Sequence, residues 1–325
     1  MDRRHFAKAG FAFVLSFAAT AGALQADDKP TTIRIGFQKS STLINILKAN
    51  GQLERALTDL GVTVKWSEFS SGLPLLEALN VGAVDLSGDV ADTVPIFAQA
   101  AGAKLTYVAS EAPSPAAQAL LVPANSPIHS VADLKGKKIA VTKASGSHYL
   151  LIAALAQAGL KFKDIQPAYL TPADGRAAFE KGAVDAWVTW DPFVAAAEKQ
   201  AGARVLANGK GTANYQRYYL ASSNFAASRP DVLKVVFAKL KETGEWVKKN
   251  PEAAAQVLAP AWGLDPAVVS LANSRRSYDV RSVSTDNLAE EQKIADAFFT
   301  EGALPKRIDS SDAHIWSPDK QASAQ

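Results

Sequence analysis

Short apolar runs alternate with amphipathic stretches between residues 32 and 100. Three runs rich in Ile, Val and Leu predict β-strands, at residues 33–37, 62–66 and 84–86. Apolar side chains at helical spacing predict helices between these strands, at residues 42–60, 73–80 and 93–100. Gly51 interrupts the first of these helices. Strands that alternate with helices in this way are typical of an α/β fold.

One pattern of the sequence occurs twice. The residues Ala-x-x-x-Gly-Ala-Val-Asp occupy positions 78–85 and again positions 178–185. An earlier segment of each half is also similar in predicted structure. A strand followed by a turn of small residues is predicted at residues 33–40 and again at residues 138–145. Two similar α/β lobes explain both repeats.

The predicted architecture is an α/β fold of two lobes, each with a mixed, mostly parallel sheet flanked by helices. Breaks in the pattern place the lobe boundaries near residues 113–117 and 218–222, so that a two-strand hinge joins the lobes. The sequence after residue 222 is mostly helical, with helices predicted at residues 230–249, 251–259 and 287–300. Lobe I is therefore assigned to residues 31–116 plus 222–318 and lobe II to residues 117–221. The low-complexity segment 319–325 is predicted to be a disordered tail.

The N-terminal segment has the pattern of an export signal. Arg3, Arg4 and Lys8 precede an apolar, small-residue stretch that ends near Ala26. We expect residues 1–26 to be removed and the mature chain to work in the periplasm. The paired arginines also fit the twin-arginine route, which leaves the export pathway open.

Composition narrows the possible functions of the 325-residue chain. The sequence contains no Cys and four His, none of them in a metal-binding pair, so neither a thiolate nucleophile nor a metal site is expected. The formal net charge is +3 without a long basic run, and nucleic acid is not expected as a partner. No residue pattern calls for a cofactor.

Candidate binding residues cluster where strands end, because ligands of open α/β sheets bind at the carboxyl ends of their strands. Most of them are small and polar, which predicts a pocket of neutral hydrogen-bond donors for an anion. The candidates in the first lobe are Gln38, Ser71, Gly88 and Asp89. Those in the second lobe are Ser145, Gly146, Ser147, His148, Trp190 and Asp191.

Structural roles compete with ligand binding at several of these positions. Ser145 or Ser147 could simply cap the helix that follows, and Asp191 could cap the helix after Pro192. The adjacent pair Ser147 and His148 also suggests a serine nucleophile, but no G-x-S-x-G motif is present and no third orienting group can be assigned. His148 is better explained as a donor to the ligand or as part of the pocket wall.

Several phrases of the sequence resemble the periplasmic alkanesulfonate-binding proteins of ABC importers. They are found at residues 35–39, 76–82, 95–103, 132–137, 164–167, 169–174 and 185–192. The resemblance implies a type II periplasmic-binding-protein fold whose lobes close on an organosulfonate and whose loaded form docks on a membrane permease. By position, it also implies ligand contacts at Gln38, at the turn 145–148, at Trp190 and at Asp191. Residues 86–94 are about one residue longer than the family pattern, which leaves the first-lobe contacts at Gly88 and Asp89 open.

Other readings remain open at this point. A receptor for taurine, aromatic sulfonates or sulfate esters would use the same fold, and Asp191 would then meet an ammonium group or remain a helix cap. An enzyme on the same fold is a more distant alternative, because the desulfinases of similar fold use a cysteine that this chain lacks. We expect a binding protein rather than an enzyme, and family analogy suggests a monomer.

Overall fold

The structure is a computed structural model that describes residues 31–318. The predicted signal segment, residues 1–26, and the predicted tail, residues 319–325, lie outside the described residues. Within residues 31–318, no helix is both long and apolar enough to cross a membrane. The described chain forms two lobes, each built around one β-sheet, and this confirms the predicted α/β class.

The sheet of lobe I has the strand order β11-β4-β10-β3-β1-β2, and β12 pairs with β4. Its strands are β1 (Thr32–Gln38), β2 (Thr63–Phe69), β3 (Leu86–Ala91), β4 (Leu105–Glu111), β10 (Arg217–Ser222), β11 (Val280–Arg281) and β12 (His314–Ile315). The sheet of lobe II has the order β7-β6-β8-β5-β9. Its strands are β5 (Gln118–Val122), β6 (Lys138–Val141), β7 (Gln166–Tyr169), β8 (Ala186–Trp190) and β9 (Arg204–Asn208).

Helices cover both faces of each sheet. Those of lobe I are α1 (Thr42–Asn50), α2 (Gln52–Leu57), α3 (Gly72–Asn80), α4 (Thr93–Ala100), α8 (Ser223–Ser228), α9 (Pro230–Lys249), α10 (Pro251–Trp262), α11 (Pro266–Ser274) and α12 (Thr285–Thr300). Those of lobe II are α5 (Gly146–Gln157), α6 (Pro172–Glu180) and α7 (Phe193–Gln200). The break between α1 and α2 falls at Gly51, which adopts a left-handed conformation (φ 58°) that glycine tolerates best.

The sheets are mixed, as predicted, but less parallel than predicted. Parallel and antiparallel pairs are equally frequent in each sheet of the described chain. Chain connectivity explains the difference at β4 and β10. The chain leaves lobe I after β4 and returns through β10, so these neighbouring strands run in opposite directions.

The two copies of the repeated pattern have the same structural role. The carboxylate of Asp85 accepts a hydrogen bond from the backbone N of Arg34 (2.8 Å) on β1, next to β3. The carboxylate of Asp185 accepts the corresponding bond from the backbone N of Lys138 (2.7 Å) on β6, next to β8. In each lobe the aspartate thus ties the turn after a helix to the neighbouring strand, which agrees with two similar α/β lobes.

The chain crosses between the lobes at residues 112–117 and again at residues 209–216. The first crossing joins the end of β4 in lobe I to the start of β5 in lobe II. The second boundary was predicted near residues 218–222, which is too late, because β10 (Arg217–Ser222) pairs with β3 and β4 in the sheet of lobe I. Tyr218, Tyr219 and Leu220 form the strand-like run at which the sequence predicts a hinge, but they are buried strand residues of that sheet.

An apolar cluster spans the two lobes on the side of the hinge. Ile96 from α4 and Phe298 from α12 belong to lobe I, and Ile152 from α5 belongs to lobe II. All three side chains are buried in the same cluster. The lobes therefore share hydrophobic contacts as well as the two crossing segments.

Candidate ligand-binding site

The candidate site is a narrow cavity between the lobes, at the carboxyl ends of β1, β3, β6 and β8. The volume of this cavity is about 20 Å³, which is enough for about one water molecule. Its lining residues are Gln38, Ser71, Gly72, Leu73, Ala91, Val94, Thr142, Lys143, Ala144, Ser145, Gly146, Trp190, Tyr215 and Arg217. The lobes are thus closed over the site.

Two helices begin at this cavity, one from each lobe. Residues Ser71 and Gly72 at the start of α3 line it from lobe I, and Ser145 and Gly146 at the start of α5 line it from lobe II. The first N–H groups of a helix have no partner within the helix and carry a partial positive charge. The paired N-termini make the cavity suited to an anion.

The two serines at these N-termini differ in their hydrogen bonds. The hydroxyl of Ser145 accepts a bond from the backbone N of His148 (3.2 Å) and donates one to the carbonyl of Thr142 (2.7 Å). Ser145 is therefore the N-cap of α5, as the structural alternative predicted. Ser71 stands at the N-cap position of α3 but makes no side-chain capping bond, which leaves its hydroxyl available to a ligand.

Arg217 at the start of β10 brings a positive charge to the cavity. One terminal nitrogen of its guanidinium forms an ion pair with the carboxylate of Asp89. Its Nε and Nη1 are buried and have no hydrogen-bond partner. Buried donors without partners are rare because each loses its bonds to water. A cationic side chain with spare donors beside two helix N-termini is well arranged to bind an anionic group.

The prediction of neutral donors alone is wrong, since Arg217 also lines the cavity. Gly88 and Asp89 do not form the predicted loop but lie inside β3. Asp89 is fully buried, and its carboxylate also pairs with Arg276 (3.0 Å). Burial raises the pKa of this carboxyl, and the two arginines act against that shift. Asp89 therefore holds Arg217 in place and does not line the cavity.

Gln38 and Trp190 are among the predicted residues that line the cavity. The side-chain amide of Gln38 donates to the carbonyl of Asp89 (2.9 Å) and so joins β1 to β3. Trp190 at the end of β8 lies in lobe II, yet its indole N–H donates to the hydroxyl of Ser40 in lobe I (3.2 Å). With Leu73, Val94 and Tyr215, the Trp190 ring gives the cavity an apolar wall.

Ser147 and His148 lie behind the cavity and do not line it. Both are fully buried in α5. The Nδ1 of His148 accepts a hydrogen bond from the backbone N of Ala144 (3.3 Å), whereas the hydroxyl of Ser147 and the Nε2 of His148 have no partner. Burial lowers the pKa of His148 to about 4. The two side chains are not bonded to each other, so they do not form an activated serine.

Asp191 connects the lobes instead of lining the cavity. Its carboxylate accepts a bond from the backbone N of Ala195 (3.0 Å), which agrees with the predicted role of a cap for α7. Arg275 of lobe I lies 3.4 Å from the same carboxylate and also pairs with Glu198 on α7. Burial raises the pKa of Asp191 to about 7, although Arg275 opposes this shift. The group is an ionic link between the closed lobes.

Nine of the fourteen residues that line the cavity were absent from the sequence-based set, and they include its charged residues, Lys143 and Arg217, and the aromatic residue Tyr215. Lys143 belongs to the turn before α5, next to the predicted residues 145–148, so extending that turn by two residues would have included it. Tyr215 and Arg217 belong to the second crossing and the strand after it. Only a correct placement of that crossing could have pointed to them. Within residues 31–318 there is no group of three or more acidic or histidine side chains that could hold a metal ion.

Two similar lobes, two crossing segments and an anion-suited cavity between the lobes define a class of protein. These features together are those of a two-lobed solute-binding protein, in which ligands are held at the strand ends where the lobes meet.

Sequence comparisons identify the family. The model of the NMT1/THI5-like family matches residues 58–254. The chain is 42% identical to a putative aliphatic sulfonates-binding protein of Escherichia coli K12, over 97% of each chain. It is 34% identical to a protein of the same description from Bacillus subtilis 168, over 92% of this chain and 90% of that one. The chain belongs to the NMT1/THI5-like family and, within it, to the aliphatic sulfonate-binding proteins.

Solved structures agree with this assignment. The alkanesulfonate-binding protein of Xanthomonas axonopodis pv. citri, solved with bound MOPS, has a TM-score of 0.84 and 39% identity, with 89% of this chain and 99% of that chain covered. The periplasmic aliphatic sulphonate-binding protein of Escherichia coli has a TM-score of 0.80 and 43% identity, with 89% and 93% covered. The desulfurization enzyme DszB has the same fold at 16% identity and a TM-score of 0.60, a likeness that concerns the fold alone.

Proposed function

We propose that this protein captures alkanesulfonates in the cavity between its lobes and delivers them to the permease of an ABC importer. The observation that carries the proposal is the guanidinium of Arg217, whose Nε and Nη1 have no partner in a cavity where two helices begin. The sulfonate-binding relatives support the same ligand class.

The chemistry of the head group fits these donors. A sulfonate keeps its negative charge at any pH of the periplasm and presents three acceptor oxygens, so it requires donors and never a proton acceptor. Arg217 supplies two charged donors, and the starts of α3 and α5 supply backbone N–H groups. The free hydroxyl of Ser71 adds a neutral donor.

The remaining walls favour an alkyl tail over an amino group. Leu73, Val94, Trp190 and Tyr215 are apolar or aromatic. The lining residues of the described chain include no Asp or Glu, so the ammonium group of taurine would find no carboxylate in the cavity. An alkanesulfonate therefore suits these walls better than taurine does.

Binding and release would require the lobes to move. The closed cavity has room for about one water molecule, and a sulfonate with its alkyl tail is larger. Ligand would enter an open form in which the segments 112–117 and 209–216 bend. Closure would then bring the start of α5 and Trp190 toward Arg217, and the closed, loaded protein would be the form that the permease recognises.

We infer no enzymatic role. The chain contains no Cys, and Ser147 is not bonded to His148 in the structure. The protein would act in the periplasm as a monomer after loss of residues 1–26. Cleavage near Ala26 can be tested by N-terminal sequencing of the exported protein.

Ligand titration of the exported protein tests the proposal. Thermal shift and calorimetry would compare ethanesulfonate, octanesulfonate, taurine, sulfate and nitrate. A ligand at 100 times its dissociation constant should add about 2.7 kcal/mol to the free energy of unfolding. We expect stabilisation by the alkanesulfonates. Stabilisation by taurine or inorganic anions alone would overturn the choice of ligand.

The role of Arg217 can be tested separately with Arg217→Gln. Loss of a hydrogen bond to a charged group is worth about 1.5–3 kcal/mol, so the affinity for ethanesulfonate should fall at least about tenfold. Arg281→Gln is the matched control, because Arg281 is exposed and pairs with Asp279 within lobe I. Unchanged affinity in a folded Arg217→Gln variant would remove Arg217 from the site.

A further inference from the structure

A second cavity, of about 270 Å³, lies at the hinge and is separate from the cavity described above. It is bordered by the second crossing segment and β10, by α5 of lobe II and by α12 of lobe I. Its lining residues are Asp92, Tyr149, Gly211, Thr212, Ala213, Asn214, Gln216, Tyr218, Glu290, Glu291 and Ile294. The two cavities have no lining residue in common.

The charged groups of this hinge cavity are all acidic. Asp92 and Glu291 are buried, with 4% and 1% of their surface exposed, and Glu290 is more exposed and pairs with Lys293. None of the described lining residues is Lys, Arg or His. Two buried carboxyls thus border a cavity that contributes no positive side chain of its own.

Two polar groups of the hinge cavity lack partners. One carboxylate oxygen of Glu291 accepts a hydrogen bond from the hydroxyl of Tyr107 (2.7 Å), but its Oε1 has none. The hydroxyl of Tyr218 also has no partner, and the Tyr218 side chain is fully buried. Both residues line the cavity, and both oxygens can accept hydrogen bonds. A buried carboxylate oxygen without a partner is unfavourable unless a proton or a cation reaches it.

The walls fit an organic cation better than a metal ion. No metal-binding group of acidic or histidine side chains occurs among residues 31–318. The rings of Tyr149 and Tyr218 and the side chains of Ala213 and Ile294 supply aromatic and apolar surface, which suits the alkyl part of a small amine. An ammonium group offers donors to match the unpartnered oxygens.

We propose that the hinge cavity binds a small alkylammonium ion, with Glu291 and Tyr218 as acceptors. Burial raises the pKa of Asp92 to about 7 and that of Glu291 well above its usual value. Burial thus disfavours the charged form of both carboxyls, and a bound ammonium would offset that penalty. The bound ion would touch α5 of lobe II and α12 of lobe I, and it would therefore hold the two lobes together.

Calorimetric titration with methylammonium chloride, without any sulfonate, tests this site independently of the proposed transport function. Sodium and potassium chloride at the same ionic strength are the reference titrations. We expect saturable binding of methylammonium that Glu291→Gln and Tyr218→Phe each weaken at least about tenfold, the effect of losing one charge-assisted hydrogen bond. Glu301→Gln, an exposed acidic residue directly after α12, should leave the affinity unchanged.

Three results would overturn the proposal: no saturable binding to the wild-type protein, an equal response to potassium, or equal weakening by Glu301→Gln. Should Glu291→Gln fail to fold, Tyr218→Phe decides the outcome, because it removes only a hydroxyl that has no partner in the structure.

Discussion

The ionic link between Arg275 and Asp191 should control how tightly the lobes close on a ligand. Arg275 follows α11 in lobe I, and both of its partners, Asp191 and Glu198, lie in lobe II. None of the three lines the ligand cavity. The substitution Arg275→Gln therefore removes a contact between the lobes while it leaves the cavity intact. We expect weaker binding of ethanesulfonate without loss of the fold.

The size of the effect follows from the burial and geometry of the pair. A hydrogen bond to a charged group contributes about 1.5–3 kcal/mol. Arg275 retains 18% of its side-chain exposure, and its Nη1 lies 3.4 Å from Asp191, so screening and distance reduce this to about 1–2 kcal/mol. If that energy stabilises only the closed form, the dissociation constant should rise about 5- to 30-fold.

Calorimetry would give the dissociation constant, and stopped-flow fluorescence would give the rate of ligand release, which should rise. Small-angle scattering of the ligand-free protein should show a larger radius of gyration for Arg275→Gln. The control is Arg281→Gln, which removes an exposed arginine that pairs within lobe I. Wild-type affinity and wild-type compactness in Arg275→Gln would refute the role of this link in closure.

Three further substitutions test other parts of the structure. In Gly146→Ala, the new Cβ would lie 2.6 Å from ring carbons of Tyr215, so hindered closure should lower ethanesulfonate affinity about tenfold in calorimetry. Asp92 has a pKa raised by burial to about 7, so its stabilising contribution is present below about pH 4 and is lost as pH rises to 7. In wild-type protein, this loss makes the free energy of unfolding fall as pH rises from about 4 to 7. In Asp92→Asn, urea unfolding should show a less steep fall, by at most about 1.4 kcal/mol per pH unit. In Arg276→Met, Asp89 and Glu111 lose a buried partner, and urea unfolding should show a loss of about 3–5 kcal/mol.

Much of the architecture could be predicted because it depends on local patterns. The helices α4 and α9 begin and end where the sequence predicted them, at residues 93–100 and 230–249. Proline at the first position of α9 and the regular spacing of its apolar residues determine these bounds without reference to the rest of the chain. The repeated Gly-Ala-Val-Asp pattern likewise indicates two lobes from local sequence alone.

Strand β3 could not be predicted correctly from local pattern. The sequence predicted a strand at residues 84–86 and a polar loop after it, yet the strand spans Leu86–Ala91. Ser87, Gly88 and Asp89 are polar or small and resemble a turn. They lie in a buried strand because Arg217 and Arg276, more than 100 residues away in sequence, neutralise Asp89. A charge pair between distant residues leaves no local periodicity.

The same distant pairing explains why the charge of the ligand site was missed. Serine and glycine at strand ends indicated an anion pocket, and Ser71, Ser145 and Gly146 do line it. Arg217 gave no such signal, because it begins a strand that was assigned to the boundary between the lobes. Its position depends on Asp89, which the sequence presented as a ligand contact. Because the carboxylate of Asp89 also forms an ion pair with Arg276, it does not fully neutralise Arg217. Part of the positive charge of Arg217 therefore remains available to the anion. Replacing Asp89 should therefore change ligand affinity by releasing Arg217, although Asp89 itself does not reach the cavity.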